Sequence, residues 1–111
     1  MHGGGNEVRI AAAAAVPGSG PAYVFHFIEA LSAAGTQLGL PPQTALALAR
    51  ETVFGAGALA MAASTPPAEL RRQVTSPGGT TEAALRVLTE DDALKTLVRA
   101  AATAAYRRAV E

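Results

Sequence analysis

Val53-Phe54-Gly55-Ala56-Gly57-Ala58-Leu59-Ala60-Met61-Ala62-Ala63 carries no polar side. It ends a segment that begins near Pro42, and the spacing predicts one helix over about 42–63. A helix that is apolar all round is buried on all sides. The chain has only 111 residues, which fits one domain, and a body that small buries only roughly 60–65% of the surface its unfolded form exposes. Such a helix therefore implies a subunit interface. Gly55 and Gly57 would each cost about 1 kcal/mol relative to alanine in a helix interior; close approach of another helix is the expected compensation, and a kink the plainer alternative.

Working outward, every other segment also reads as helix. Alanine makes up about a quarter of the sequence and is the best helix former. No strand-like alternation occurs anywhere, so the fold class is all-α, a helical bundle domain. Residues 1–7 are Gly-rich and read as a disordered or junction segment, with the domain proper over residues 8–111. Glu7 to Val16 suits a helix that Pro17-Gly18-Ser19-Gly20-Pro21 breaks. Ser19 or Gly20 is placed to cap the next helix, about Pro21 to Leu38, with Pro21 in its first turn. Tyr23, Phe27, Leu31, Ala34 and Leu38 form its apolar stripe, and Gly39 ends it. Thr65-Pro66-Pro67 starts a short helix through Val74. A further helix covers Glu82 to Leu88, with Leu85 and Leu88 inward. Thr89 reads as the N-cap of a last helix, about Asp91 to Val110, with acidic residues in its first turn and Leu94, Leu97, Val98, Ala101 and Ala105 on its inner face.

Composition narrows the function. Net charge is zero, so nucleic-acid binding has no electrostatic footprint. Cysteine is absent, which excludes disulfides and thiolate metal sites, and His2 and His26 lack partners at metal-ligand spacing; no metal site is expected. Half of the residues are apolar before glycine is counted, above the usual range, which again favours oligomerisation. Ile10 to Ile28 is uncharged and nearly long enough to span a bilayer, but Pro17 through Pro21 interrupts it, and no positive start marks a signal peptide. A cytoplasmic protein without a membrane partner is expected.

Ser76-Pro77-Gly78-Gly79-Thr80-Thr81 is the candidate site. Adjacent glycines let the backbone turn tightly and approach a ligand. The residues beyond them open a helix whose first N–H groups lack intrahelical partners, a ready-made anion site to which Thr80 and Thr81 add hydroxyls. The plainer alternative is punctuation: Pro77 and the glycines stop one helix and Thr80 caps the next. His26 is an ordinary helix-face residue on this reading, with no carboxylate partner at suitable spacing, and Arg71-Arg72 and Arg107-Arg108 are solvated faces.

Gly18-Ser19-Gly20-Pro21-Ala22-Tyr23-Val24-Phe25, Glu29-Ala30-Leu31, Gly39-Leu40-Pro41 and Val74-Thr75-Ser76-Pro77-Gly78-Gly79-Thr80-Thr81 occur in this order. Together they resemble the C-terminal domain of pyrroline-5-carboxylate reductase, over about Val8 to Glu111. The resemblance implies an all-helical dimerisation domain whose helices interleave with those of a second subunit, in dimers that often assemble into larger rings. It implies that amides around Ser76, Gly78 and Gly79 bind the ring carboxylate of 1-pyrroline-5-carboxylate, with Thr80 in the same loop and Thr81 the catalytic contact near the ring nitrogen. Hydride from NADP or NAD in its reduced form then yields L-proline. Members of the family begin with a dinucleotide-binding domain bearing a Gly-rich fingerprint. Nothing here fits it: Gly18-x-Gly20 follows no strand, and the cofactor-binding residues are unknown. Two readings follow: the substrate-binding and dimerisation part of a reductase, or a non-catalytic helical homodimer.

Overall fold

The computed structural model describes residues 4–111. Six α-helices follow one another, α1 (Gly4–Ala13), α2 (Gly20–Gln37), α3 (Pro42–Ala62), α4 (Pro67–Gln73), α5 (Thr80–Thr89) and α6 (Ala93–Val110), with no strand among the described residues. The all-α expectation holds. Of the expected disordered or junction segment, residues 4–7 lie in the first turn of α1, and Met1 to Gly3 lie outside the described residues.

The helices divide between two units, residues 1–23 with 82–111, and residues 24–81. In the first, α1 packs on α6 and the buried residues are Ala11 and Ala15, 2% and 3% exposed. Small side chains let the two helix backbones come close. Pro17 does not break the chain as expected. Having no N–H, proline cannot make its α-helical bond and its ring crowds the carbonyl four residues back. The backbone widens into a π-helical turn over Ala14–Gly18, and the Ser19 N–H donates to the Ala14 carbonyl at 2.8 Å. Tyr23 closes the turn from above, its hydroxyl donating to the Ala15 carbonyl at 2.7 Å.

A 3₁₀ turn of three acidic residues, Glu90–Asp92, separates α5 from α6. Asp91 and Asp92 both have left-handed backbone, φ 53° and 55°, conformations that cost L-residues roughly 1–2 kcal/mol each. Thr89 is not the N-cap of α6. Its hydroxyl instead donates backwards to the Leu85 carbonyl at 2.8 Å, closing the end of α5, and Asp92 occupies the cap position without a side-chain cap bond.

In the second unit, α2 ends in a Schellman motif. The Leu40 N–H donates to the Gly35 carbonyl and the Gly39 N–H to the Thr36 carbonyl, each at 3.0 Å, with Gly39 at φ +110°. This pairing satisfies carbonyls that the helix end leaves open. The chain then reverses through Pro41 into α3, with Pro42 at its first position. A Cβ on Gly35 would lie 3.2 Å from the Ala45 Cβ and 3.3 Å from Leu40 Cδ1; glycine lets α2 and α3 meet there without crowding. Ala45 and Ala49 are the buried residues of this unit.

No large apolar side chain is buried among the described residues. Leu94, Leu97 and Val98, expected on an inner face of α6, are exposed, as are Phe27 and Leu38 of the α2 stripe. On α3, Phe54 is 79% and Met61 89% exposed, and Gly55 and Gly57 have no neighbouring atom within 4 Å of where a Cβ would be. The close approach expected at these glycines does not occur among the described residues. By length and composition α3 could also cross a membrane.

Candidate functional site

The sequence builds the Ser76–Thr81 segment from both sides. Pro66 and Pro67 start α4, with proline in the first turn where its missing N–H removes no bond. Seven residues make a helix too short to hold by propensity alone. Its end is held locally: the Val74 N–H donates to the Arg71 carbonyl at 3.3 Å and the Thr75 N–H to the Arg72 carbonyl at 3.1 Å. The Arg72 guanidinium meets the Glu69 carboxylate at 2.8 Å, a surface pair worth little by itself.

Ser76 to Gly79 is then a tight turn. The Gly79 N–H donates to the Ser76 carbonyl at 3.0 Å, Pro77 takes the second position, and Gly78 the third with φ +74°. Proline followed by a positive-φ glycine is the signature of a type II turn. Gly79 is needed for a different reason. A Cβ there would stand 3.2 Å from the Ser76 carbonyl oxygen.

Thr80 and Thr81 open α5 directly. Thr80, a candidate N-cap by sequence, is itself the first helical residue. The first-turn amides and the positive end of the helix dipole therefore sit next to the turn. Glu82 in the same first turn lies 3.8 Å from the Arg86 guanidinium. Ser76, Pro77, Gly78, Thr80 and Thr81 are exposed, while Thr75 and Gly79 are half-buried. All the candidate residues are thus brought together by one turn and one helix start.

The other features behave differently. His26 does have a carboxylate partner, contrary to expectation: Glu29 is three residues on and its Oε1 lies 3.0 Å from the imidazole Nδ1. Both side chains are exposed, so the pair is a surface contact. Arg108 pairs with Glu111 at 2.8 Å. A shallow hollow of about 410 Å³ runs along α6 beside Thr96, Arg99, Thr103 and Arg107, and another of about 260 Å³ lies beside Val16, Arg99 and Tyr106; neither includes a residue of the turn.

The described residues do not form the strand–turn–helix fingerprint of a dinucleotide site. That fingerprint needs a strand, a Gly-rich turn and a helix in succession. Here Gly18 lies inside the π-helical turn and Gly20 is the first residue of α2, and no strand is present among the described residues.

Residues 7–111 match the family model for pyrroline-5-carboxylate reductase dimerisation. The chain belongs to this family. A pyrroline-5-carboxylate reductase of Pseudomonas aeruginosa is 45% identical over 106 residues, 96% of this chain and 38% of the relative. One of Arabidopsis thaliana is 42% identical over 102 residues, 92% of this chain and 37% of the relative. Among solved structures, the pyrroline-5-carboxylate reductase of Coxiella burnetii superposes with a TM-score of 0.87 at 48% identity, covering 92% of this chain and 37% of that one. The Plasmodium falciparum enzyme, solved with NADP bound, gives a TM-score of 0.87 at 33% identity over 93% of this chain and 39% of that one. The chain therefore spans less than half the length of the pyrroline-5-carboxylate reductases it matches. Its family supports homo-oligomerisation.

Sequence reasoning located the glycine turn but missed its anchoring through Thr75, the π-helical turn at Pro17 and the contact between His26 and Glu29. The spacing of three between His26 and Glu29 was a usable signal, since residues three apart face each other on a helix.

Proposed function

We propose that this domain supplies the substrate loop and dimer interface of an NAD(P)H-dependent reductase that converts 1-pyrroline-5-carboxylate to L-proline. The observation that carries the reading is a Pro-Gly-Gly turn running directly into the start of α5, in a chain of this family. The Gly79 amide already has an acceptor in the Ser76 carbonyl. A ring carboxylate bound here lies beside the turn and the positive end of the α5 dipole, with the Ser76 and Thr80 hydroxyls as donors. The Thr81 hydroxyl, which can donate or accept, is the contact to the ring nitrogen. Exposed, preformed donors favour orientation of a small anionic ring, which is this domain's share of the work. NADP or NAD is the cofactor the reading implies.

A second copy of the chain is the partner that covers α3, in an interleaved homodimer that can build larger rings. Lipid is the other candidate for an apolar surface of this length. Arg50 and Glu51 stand near the midpoint of α3, where a bilayer would charge about 2.5–3.5 kcal/mol for each, so the reading places the protein in the cytoplasm.

Calorimetry of the intact chain with L-proline tests the substrate loop. Binding by the wild type, abolished by Gly79→Val and weakened about tenfold by Thr81→Val, as expected for loss of one hydrogen bond to a charged or polar ligand, supports the loop. No heat from the wild type contradicts it. Oxidation of NADPH by the chain alone, given 1-pyrroline-5-carboxylate, would place a cofactor site in this chain without the strand–turn–helix fingerprint.

A further inference from the structure

We infer that Thr75 is the positioning residue of the glycine turn. Three threonines among the described residues return a hydroxyl bond to the carbonyl four residues back. Thr52 donates to Leu48 at 2.7 Å and Thr89 to Leu85 at 2.8 Å, both from inside their helices. Thr75 does so from outside. It lies two residues beyond the last residue of α4, and its hydroxyl donates to the Arg71 carbonyl at 2.6 Å while its N–H donates to the Arg72 carbonyl at 3.1 Å.

One residue thus satisfies two of the four carbonyls that the end of α4 leaves without intrahelical partners. Two donors from one residue to successive carbonyls fix the direction in which the chain leaves the helix. The next residue is Ser76, whose carbonyl accepts the Gly79 N–H and closes the turn. Ser76 and Pro77, which follow, are exposed. Thr75 acts through Ser76: it sets where the Ser76 carbonyl points, and hence where Gly78, Gly79 and the start of α5 stand. The inference rests on the substrate-loop reading only for its consequence, not for its geometry.

Hydrogen exchange of backbone amides in the intact chain, followed by NMR, tests it without any ligand. In Thr75→Val, which keeps the shape and removes the hydroxyl, exchange of the Gly79 amide should speed up about fivefold, the equivalent of one lost neutral hydrogen bond. Amides in the middle of α3 should be unchanged. Thr75→Ser, which restores the hydroxyl, should return Gly79 to the wild-type rate. Unchanged Gly79 exchange in Thr75→Val overturns the inference, as does an equal acceleration in α3, which would mark a general loss of stability. L-Proline titrated into the same samples separates the two claims. Wild-type binding that Thr75→Val weakens and Thr75→Ser restores supports both, while a wild type that does not bind removes the substrate loop and leaves Thr75 to be judged on exchange alone.

Discussion

The Ser76–Thr81 turn and helix α3 belong to the same unit, and they are held in opposite ways. The turn closes on itself through bonds spanning three or four residues: Gly79 to Ser76, Thr75 to Arg71 and Arg72. Helix α3 makes its backbone bonds but leaves Phe54, Leu59 and Met61 exposed and its two glycines facing empty space. A local motif carries its own structure wherever it is placed. An apolar helix of this length finds its reason only in another body, because burial of apolar area is what stabilises it. The contrast separates what the single chain determines from what its assembly must supply.

The comparison breaks most sharply at Phe54. Replacing it with Asp puts a charge where the partner's apolar surface is proposed to lie, and an uncompensated buried charge costs about 3–5 kcal/mol. Sedimentation should show the dimer dissociation constant rising by at least roughly a hundredfold. An unchanged constant would leave α3 without the role given to it.

Gly35→Val probes the contact that the chain makes by itself. With the Ala45 Cβ only 3.2 Å from the new Cβ and both atoms on helices, overpacking should cost about 1–3 kcal/mol, read as a lower urea midpoint. At the turn, Gly78→Ala forces alanine to φ +74°, at a cost of roughly 1–2 kcal/mol. That variant should lose L-proline affinity while α3-dependent dimerisation stays intact, which sharpens the separation between the two regions. The smallest effect is expected at Asp91. Asp91→Gly relieves a left-handed aspartate and should stabilise by up to about 1 kcal/mol, part of the relief being lost to the freedom glycine has in the unfolded chain; a lower midpoint would argue that the Asp91 side chain holds the bend.

Much of this was legible in the residues. Gly39 followed by Leu40-Pro41-Pro42 announced the Schellman end of α2, because only glycine takes that backbone at low cost and proline cannot continue the helix. Pro77-Gly78-Gly79 announced the turn for the same reason. The glycine landmarks, in order, also led to the family. Pro17 misled, since sequence tells that an α-helical bond is lost but not that a π-helical turn will absorb the loss. Thr89 misled because a threonine hydroxyl serves equally well at a helix start or looking back from a helix end. The stripe on α6 was real as a pattern, yet periodicity cannot say whether an apolar face meets its own chain or another one. That choice depends on which bodies are present.

Sedimentation of the intact chain at micromolar concentration tests the central claim most directly. The account predicts a species of twice the 11.2 kDa chain mass that Phe54→Asp converts to monomer. A folded wild-type monomer, with α3 still helical and its apolar side chains open to water, would contradict it.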